Sequence, residues 1–328
     1  MKKRILGNSN IEISALGLGC MGMSEFYGPA DDEQSLNTLE HAFDIGITLY
    51  DSADTYGVGH NEELLGRFAQ GKRDKIVLAT KCGIVRQKGK YERRIDSSPD
   101  YIKSACEASL KRLGTDFIDL FYLHRLNPEV QIEESVGALA DLMAEGKITS
   151  YGLCEVSEKT LRRAHTVLPV AALQTEYSLW SREPENLILD VCREQNTAFV
   201  AYSPLGRGFL TGKLTSKNDL AEGDFRASNP RFQDENLSHN VTLLNAVEEI
   251  ANIHDCTTGQ VALAWLLSQG PDIIPIPGTR RIKYLDENAG SVNVNLSPSD
   301  LATLDKVFNK EAISGNRYTD EGMKGINA

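Results

Sequence analysis

No apolar run in this chain reaches the roughly 18 to 20 residues that a bilayer-spanning helix requires, so a helical integral membrane protein is excluded. Positive charge is also scarce: 35 Lys and Arg face 46 Asp and Glu, a formal net charge of −11. That balance leaves no broad basic face for nucleic acid or an anionic membrane, and neither partner is expected. Cysteine is sparse and dispersed, at positions 20, 82, 106, 154, 192 and 256, with no C-x-x-C and no zinc-ligand spacing. A disulfide scaffold and a zinc module are thereby excluded, and the thiols read as reduced. No H-x-H follows a strand-like segment, so a metal-dependent barrel hydrolase lacks its ligands and no metal is expected. Met1-Lys2-Lys3-Arg4 resembles the basic start of a secretory leader, but Asn8, Ser9, Asn10 and Glu12 interrupt the apolar stretch that would follow. The expected location is cytoplasmic.

What is present is a regular alternation. At 328 residues with 41% hydrophobic and 25% charged side chains, the chain suits one large globular unit spanning 1–328. Arg4 to Leu6 and Ile11 to Ile13 flank Gly7-Asn8-Ser9-Asn10, a hairpin signal. Eight short apolar strands follow, at 15–18, 48–51, 76–80, 118–123, 150–153, 171–175, 198–202 and 272–276. Between them lie one-sided helical patterns at about 32–44, 99–113, 132–143, 157–167, 185–195, 258–269 and 281–289. Asp31 or Asp32 caps the first of these and Gly46 ends it. Eight β/α repeats predict a parallel (β/α)8 TIM barrel, with the hairpin and two further helices, 239–254 and 299–309, as additions. The connections 82–98 and 203–238 are too long for plain turns, and both overhang the C-terminal strand face.

That face carries the chemistry. Asp51 and Tyr56 follow one strand, Lys81 ends the next and His124 follows the one after. In a parallel barrel these ends open together, so an acid, a phenol, an amine and an imidazole converge. A tyrosine of ordinary pKa, about 10, is a poor proton carrier near neutrality, and a neighbouring ammonium lowers that pKa. Asp51 would fix Lys81 and balance its charge, while His124 would orient a carbonyl oxygen. Taken together the set suits proton transfer to a carbonyl.

Gly17-Leu18-Gly19-Cys20-Met21-Gly22 matches G-x-G-x-x-G, but no helix opens at these glycines. Met23 to Ala30, with Gly28-Pro29, intervenes, so the pyrophosphate-binding geometry of the dinucleotide fold is missing. The expectation is instead that the glycines let backbone approach a ligand at the barrel mouth.

The motifs Leu16-Gly17-Leu18-Gly19, Asp51-x-Ala53-x-x-Tyr56-Gly57, Lys81, His124, Ala201-Tyr202-Ser203-Pro204-Leu205-Gly206, Ile276-Pro277-Gly278-Thr279 and Glu287-Asn288 together resemble the aldo-keto reductase superfamily. Tyr202 to Lys213 and Gly152-Leu153-Cys154-Glu155 resemble its bacterial and plant short-tail branch. The resemblance implies a barrel that uses NADPH to reduce aldehydes and ketones, a small-molecule carbonyl substrate, and catalytic roles for Asp51, Tyr56, Lys81 and His124. It places Tyr202 against the nicotinamide and Gln174, Cys20, Met21 and Cys154 around it. It puts Ser203, Leu205, Arg207, Gly208 and Lys213 along the pyrophosphate. Gly278, Arg280, Tyr284, Glu287 and Asn288 would hold the adenosine 2′-phosphate and adenine; Arg280, Arg281 and Lys283 form a basic cluster in an acidic chain that favours NADPH over NADH. Arg226 is placed to close the 203–238 loop over the cofactor.

Cys154-Glu155 stands where many relatives carry Ser-Asn, and S–H is a weaker donor than a hydroxyl. Cys154 is therefore either a carboxamide contact or a redox-sensitive thiol. Phe26, Tyr27, Tyr91 and Trp180 are the aromatics expected to wall the substrate pocket. The tail from Gly315 is short and polar, which predicts an open pocket with broad carbonyl tolerance. A second reading stays open: an NADP(H)-binding, redox-sensing regulatory subunit with low turnover. Oligomeric state is not legible in the sequence.

Overall fold

The computed structural model describes residues 1–87, 90, 92–323 and 326. Strands β1 (Lys3–Ile5) and β2 (Glu12–Ser14) pair antiparallel with Arg4 opposite Ile13, forming the expected hairpin. Leu6 and Ile13 are fully buried, and Gly7, at φ 55°, lies so close to the barrel floor that a Cβ would meet the Ala171 carbonyl oxygen. The hairpin thus plugs the N-terminal end of the barrel.

Further along the chain come β3 (Leu18–Gly19), α1 (Asp32–Asp44), β4 (Leu49–Asp51), α2 (His60–Ala69) and β5 (Val77–Cys82). A small antiparallel hairpin, β6 (Ile84–Arg86) and β7 (Arg93–Ile95), fills most of the first long connection, followed by α3 (Pro99–Leu113). Then follow β8 (Ile118–Leu123), α4 (Ile132–Ala144), β9 (Ile148–Cys154), α5 (Glu158–Val167), β10 (Ala172–Glu176), α6 (Ile188–Glu194) and β11 (Ala198–Tyr202). After the second long connection lie α7 (Asp234–Val241), α8 (Leu244–Ile253), α9 (Thr258–Ser268), β12 (Ile273–Pro275), α10 (Ile282–Gly290), α11 (Pro298–Val307) and α12 (Asp320–Met323).

The large sheet runs β12-β11-β10-β9-β8-β5-β4-β3, parallel throughout. Its two edges meet: Gly19 bridges Gly278 in parallel, and the Gly17 and Gly19 N–H groups donate to Pro275 and Pro277 oxygens at 3.0 and 3.3 Å. The sheet is therefore the closed (β/α)8 barrel that the alternation predicts. This seam also corrects the reading of the glycine run. A Cβ on Gly17 would meet Ile276 Cγ2 at 2.8 Å, and one on Gly19 would meet the Ile276 oxygen at 2.9 Å. These glycines serve close approach of one strand end to another rather than to a ligand alone.

Alternation along the strands separates two cores. Leu120 and Tyr122 of β8 point into the barrel, where they join Leu49, Ala79, Ala172, Val200 and Ile274. Phe121 and Leu123 point outward to the helices. Side-chain period 2 produces this split, and both faces are apolar because helices cover the outside. α1 begins where the Asp31 carboxylate accepts the Gln34 N–H at 2.7 Å, and α3 has Pro99 at its start and Gly114 at φ 64° past its end.

Besides α12, which the sequence reading does not contain, three helix assignments differ from expectation. α2 is not in the sequence reading; it starts directly after the Gly57 to Gly59 turn, contains Gly66, and buries Leu64, Leu65, Phe68 and Ala69. The 239–254 pattern is two helices, since Thr242 and Leu243 donate to the oxygens of His239 and Asn240, three residues back, which breaks the α-helical ladder. The 185–195 pattern opens as a 3-10 turn, Glu183–Asn186, before α6.

Candidate active site

Asp51 ends β4, Lys81 lies in the last turn of pleat of β5, and His124 immediately follows β8. The loop after β4 is stitched to β5 by Ser52 N–H to the Ala79 oxygen at 2.8 Å and Asp54 N–H to the Lys81 oxygen at 3.0 Å. Those bonds set Tyr56 against its neighbours. The Lys81 ammonium is fully buried, ion-pairs with Asp51 and donates to the Ser52 oxygen at 2.5 Å. Asp51 keeps its second oxygen for Gln174, whose Nε2 donates to it at 2.8 Å. A buried charge pair is tolerable only when its remaining donors and acceptors are met, and here they are met by Ser52 and Gln174. Lys81 Nζ stands 5.2 Å from the Tyr56 ring centre, and the Tyr56 and His124 rings meet edge to face at 5.9 Å.

Burial pushes the Tyr56 phenol up to about 12, against the opposing pull of Lys81. The sequence expectation that the ammonium lowers this pKa is thus corrected: Lys81 acts in that direction, but loss of water around the phenol is the larger effect. His124 is held well below the ordinary histidine range by burial, Arg125 and Lys81, so its imidazole is neutral. Its Nδ1 is buried without a hydrogen-bond partner among the described residues.

From these groups a cavity of about 890 Å³ runs across the barrel mouth to Arg280, Tyr284, Glu287 and Asn288. Cys20, Met21, Cys154, Gln174, Tyr202, Ser203, Leu205, Arg207, Gly208, Lys213 and Gly278 all border it, as do Phe26 and Tyr27. Its roof is a cross-loop contact. Phe225, from the 203–238 connection, packs edge-on against Phe26 and Tyr27 at 5.9 and 5.4 Å. Arg226 donates to the Arg207 oxygen at 2.8 Å, and Arg280 donates to the oxygens of Gly22, Tyr27 and Gly28 at 3.3, 2.9 and 3.3 Å.

Several expected residues are placed otherwise. Trp180 does not border the cavity: it is 1% exposed, packed on Phe209 at 3.8 Å and Phe232 at 5.4 Å. It is a core residue, because the chain after β10 turns inward beneath the second long loop. Tyr91 lies outside the described residues. Arg207 reaches the cavity, but its guanidinium is committed to Glu176 at 2.7 Å and the Arg317 oxygen at 3.1 Å, so its charge is already neutralised. Cys154 borders the cavity but is 3% exposed, and burial pushes its thiol up to about 12, which weighs against a reactive thiolate.

The short tail from Gly315 nevertheless reaches the site. Tyr318 and Thr319 border the cavity. Arg317 forks onto Glu155, with both N–O distances 2.9 Å, while Glu155 also accepts from Tyr202 at 2.7 Å and the Tyr202 and Tyr318 hydroxyls meet at 2.8 Å. Sequence reading missed Tyr318, for which it held no signal, and also Arg93 and Arg125; for Arg125, the position next to His124 was available.

Comparison with known proteins agrees with this geometry. Residues 15–309 match the model of the Aldo/keto reductase family. An aldo-keto reductase of Schizosaccharomyces pombe, yakc, whose name specifies NADP(+), is 46% identical over 320 residues, covering 96% of this chain and 94% of the relative. A probable aldo-keto reductase 1 of Glycine max is 44% identical over 95% of this chain and 90% of its own length. Among solved structures, the glycerol dehydrogenase of Gluconobacter oxydans superposes with a TM-score of 0.85 at 30% identity, over 93% of this chain and 94% of its own. An aldo-keto reductase of Klebsiella pneumoniae in complex with NADPH gives 0.74 at 26% identity, over 97% and 99%. With the barrel, the four clustered side chains and these likenesses in agreement, the chain belongs to the aldo/keto reductase family.

Proposed function

We propose that the 1–328 chain works as a single unit, an NADPH-dependent reductase of aldehydes and ketones. The observation that carries this reading is the cavity itself. At one end stand Tyr56, His124 and Asp51, at the other Arg280 and Arg281, with Tyr202 and Gln174 along the floor. Neither Arg280 nor Arg281 has a carboxylate within ion-pair distance among the described residues. Unpaired guanidiniums at the far end suit an adenosine 2′-phosphate, and the relative in yeast is named for NADP(+). Bound NADPH would supply hydride to the carbonyl carbon.

The chain's own groups do the rest. Tyr56 donates its phenolic proton to the carbonyl oxygen, since the raised pKa keeps that proton in place. As the proton leaves, the Lys81 ammonium faces the developing phenolate and stabilises it in a site shielded from water. Asp51 holds Lys81, and Gln174 holds Asp51. The neutral His124 donates to the carbonyl oxygen and aligns it for Tyr56. The six cysteines are free and five are buried, in keeping with a reducing, cytoplasmic setting. No helix among the described residues is long and apolar enough to cross a membrane.

The test is NADPH oxidation by the purified protein across aldehydes and ketones, with Tyr56→Phe beside it. Loss of about 10²- to 10⁴-fold in turnover with NADPH binding retained supports the reading. A Tyr56→Phe enzyme of wild-type rate would sink the proposed acid, and tight NADPH binding with no turnover on any carbonyl would favour a sensing role instead.

A further inference from the structure

The cavity arginines separate into two sets. Arg86 pairs with Glu25 at 2.8 Å, Arg207 with Glu176 at 2.7 Å and Arg226 with Asp224 at 2.6 Å. These three bring no net charge to the cavity. Four others border it without a carboxylate in ion-pair distance among the described residues: Arg280 and Arg281 at one end, Arg93 and Arg125 at the other. In a chain of net charge −11, with acids enough for every base, arginines left unmatched in a concave site mark where a ligand supplies the negative charge. The first pair belongs to the cofactor's phosphate end on the reading above. The second pair lies near His124.

Arg125 follows His124 directly. Its one hydrogen bond among the described residues goes to the His124 oxygen, at 2.6 Å, which leaves most of its five N–H donors unused. Its polar neighbours are Tyr202, Tyr318, Glu155 and Cys154. Glu155 is the only carboxylate of these, and Arg317 already holds both of its oxygens. Arg93, exposed on β7, borders the same cavity. His124 feels both guanidiniums as well as Lys81, so the three cations face one region. Lys81 is neutralised by Asp51; among the described residues no carboxylate neutralises either arginine.

We propose that Arg125, with Arg93 at the rim, forms an anion subsite beside Tyr56 and His124, and that the preferred substrate is an aldehyde or ketone carrying a carboxylate or phosphate a short linker from its carbonyl. The planar fork of Arg125 suits bidentate recognition of either group. This inference rests on the reductase reading.

The test compares kcat/KM for succinic semialdehyde with butanal, and for glyceraldehyde phosphate with glyceraldehyde, in wild type and in Arg125→Gln. The wild type is expected to favour the charged member of at least one pair by about tenfold or more, a preference that shrinks as ionic strength rises. Which pair shows it tells carboxylate from phosphate. Arg125→Gln should cut the charged-to-neutral ratio by about 10- to 100-fold, and Arg93→Gln by less, since it is exposed. Should Arg125→Gln fail to fold, Arg125→Lys keeps the charge without the fork and should still lower the ratio. Equal use of charged and neutral substrates, or a ratio that Arg125→Gln leaves unmoved, overturns the subsite while the reductase reading stands. Absence of NADPH oxidation with all four substrates and with the wider carbonyl panel overturns both.

Discussion

Arg317 and Glu155 face each other as a fork across 162 residues of sequence, each guanidinium nitrogen 2.9 Å from its own carboxylate oxygen, with both side chains buried. The pair fastens the tail to the end of β9, and through the Tyr202 hydroxyl it also fixes the ring that floors the cavity. Arg317→Ala should destabilise the fold by about 3–5 kcal/mol, because it strands a buried carboxylate. Urea denaturation checks this. Adding Glu155→Gln to that variant should recover part of the loss by removing the stranded charge. The Arg317→Ala enzyme should also bind NADPH more weakly, as Tyr202 loses its anchor.

The pH dependence of reduction follows from two groups moved in opposite directions. Burial pushes Tyr56 up to about 12, so the proton donor stays loaded at any lower pH. Burial, Arg125 and Lys81 hold His124 well below the ordinary range, so the imidazole stays neutral as pH falls through 6.5. The rate of carbonyl reduction should therefore be flat from about pH 6 to about pH 10. A steady-state pH profile decides it: an alkaline limb near pH 8 would mean that the pull of Lys81 on Tyr56 outweighs burial, or that another group carries the proton.

Arg280 ties the Gly22, Tyr27 and Gly28 carbonyls to the far end of the cavity. Arg280→Ala should weaken both nicotinamide cofactors by loosening that loop. The loss for NADPH should exceed that for NADH by about 10- to 100-fold, because only NADPH carries the 2′-phosphate. Fluorescence titration with each cofactor measures the two losses, and equal losses would remove Arg280 from the phosphate site.

Trp180 offers a contrast between packing and substrate contact. Trp180→Ala should cost about 3–5 kcal/mol by opening a cavity against Phe209 and Phe232. The relative kcat/KM values across an aldehyde panel should stay unchanged, since the side chain does not border the site. A reordered substrate preference with full stability would restore it to the pocket wall.

The barrel was legible in the sequence because its signals are local. Strand length, helix periodicity, the Asp31 cap and the Gly46 stop each act within a few residues. The convergence of Asp51, Tyr56, Lys81 and His124 was legible for a related reason: parallel strands in a closed sheet have only one C-terminal face on which to place such residues. α2 carries a buried stripe of Leu64, Leu65, Phe68 and Ala69 of its own, but it is short and directly follows the glycine-rich Gly57 to Gly59 turn, where the sequence reading places no helix.

What the tertiary structure alone decided concerns charge and burial. Trp180 and the pocket aromatics look alike in sequence, and only packing beneath the second long loop sends Trp180 to the core. Tyr56 sits beside an ammonium, as its strand position implies, yet burial outweighs that ammonium in setting its pKa. Whether an arginine is free or spent depends on partners such as Glu176 and Glu155, brought near by folding from 31 and 162 residues away. Sequence order determines which groups reach the barrel mouth; three-dimensional pairing determines which of them still carry charge there, because a salt bridge is set by distance in space.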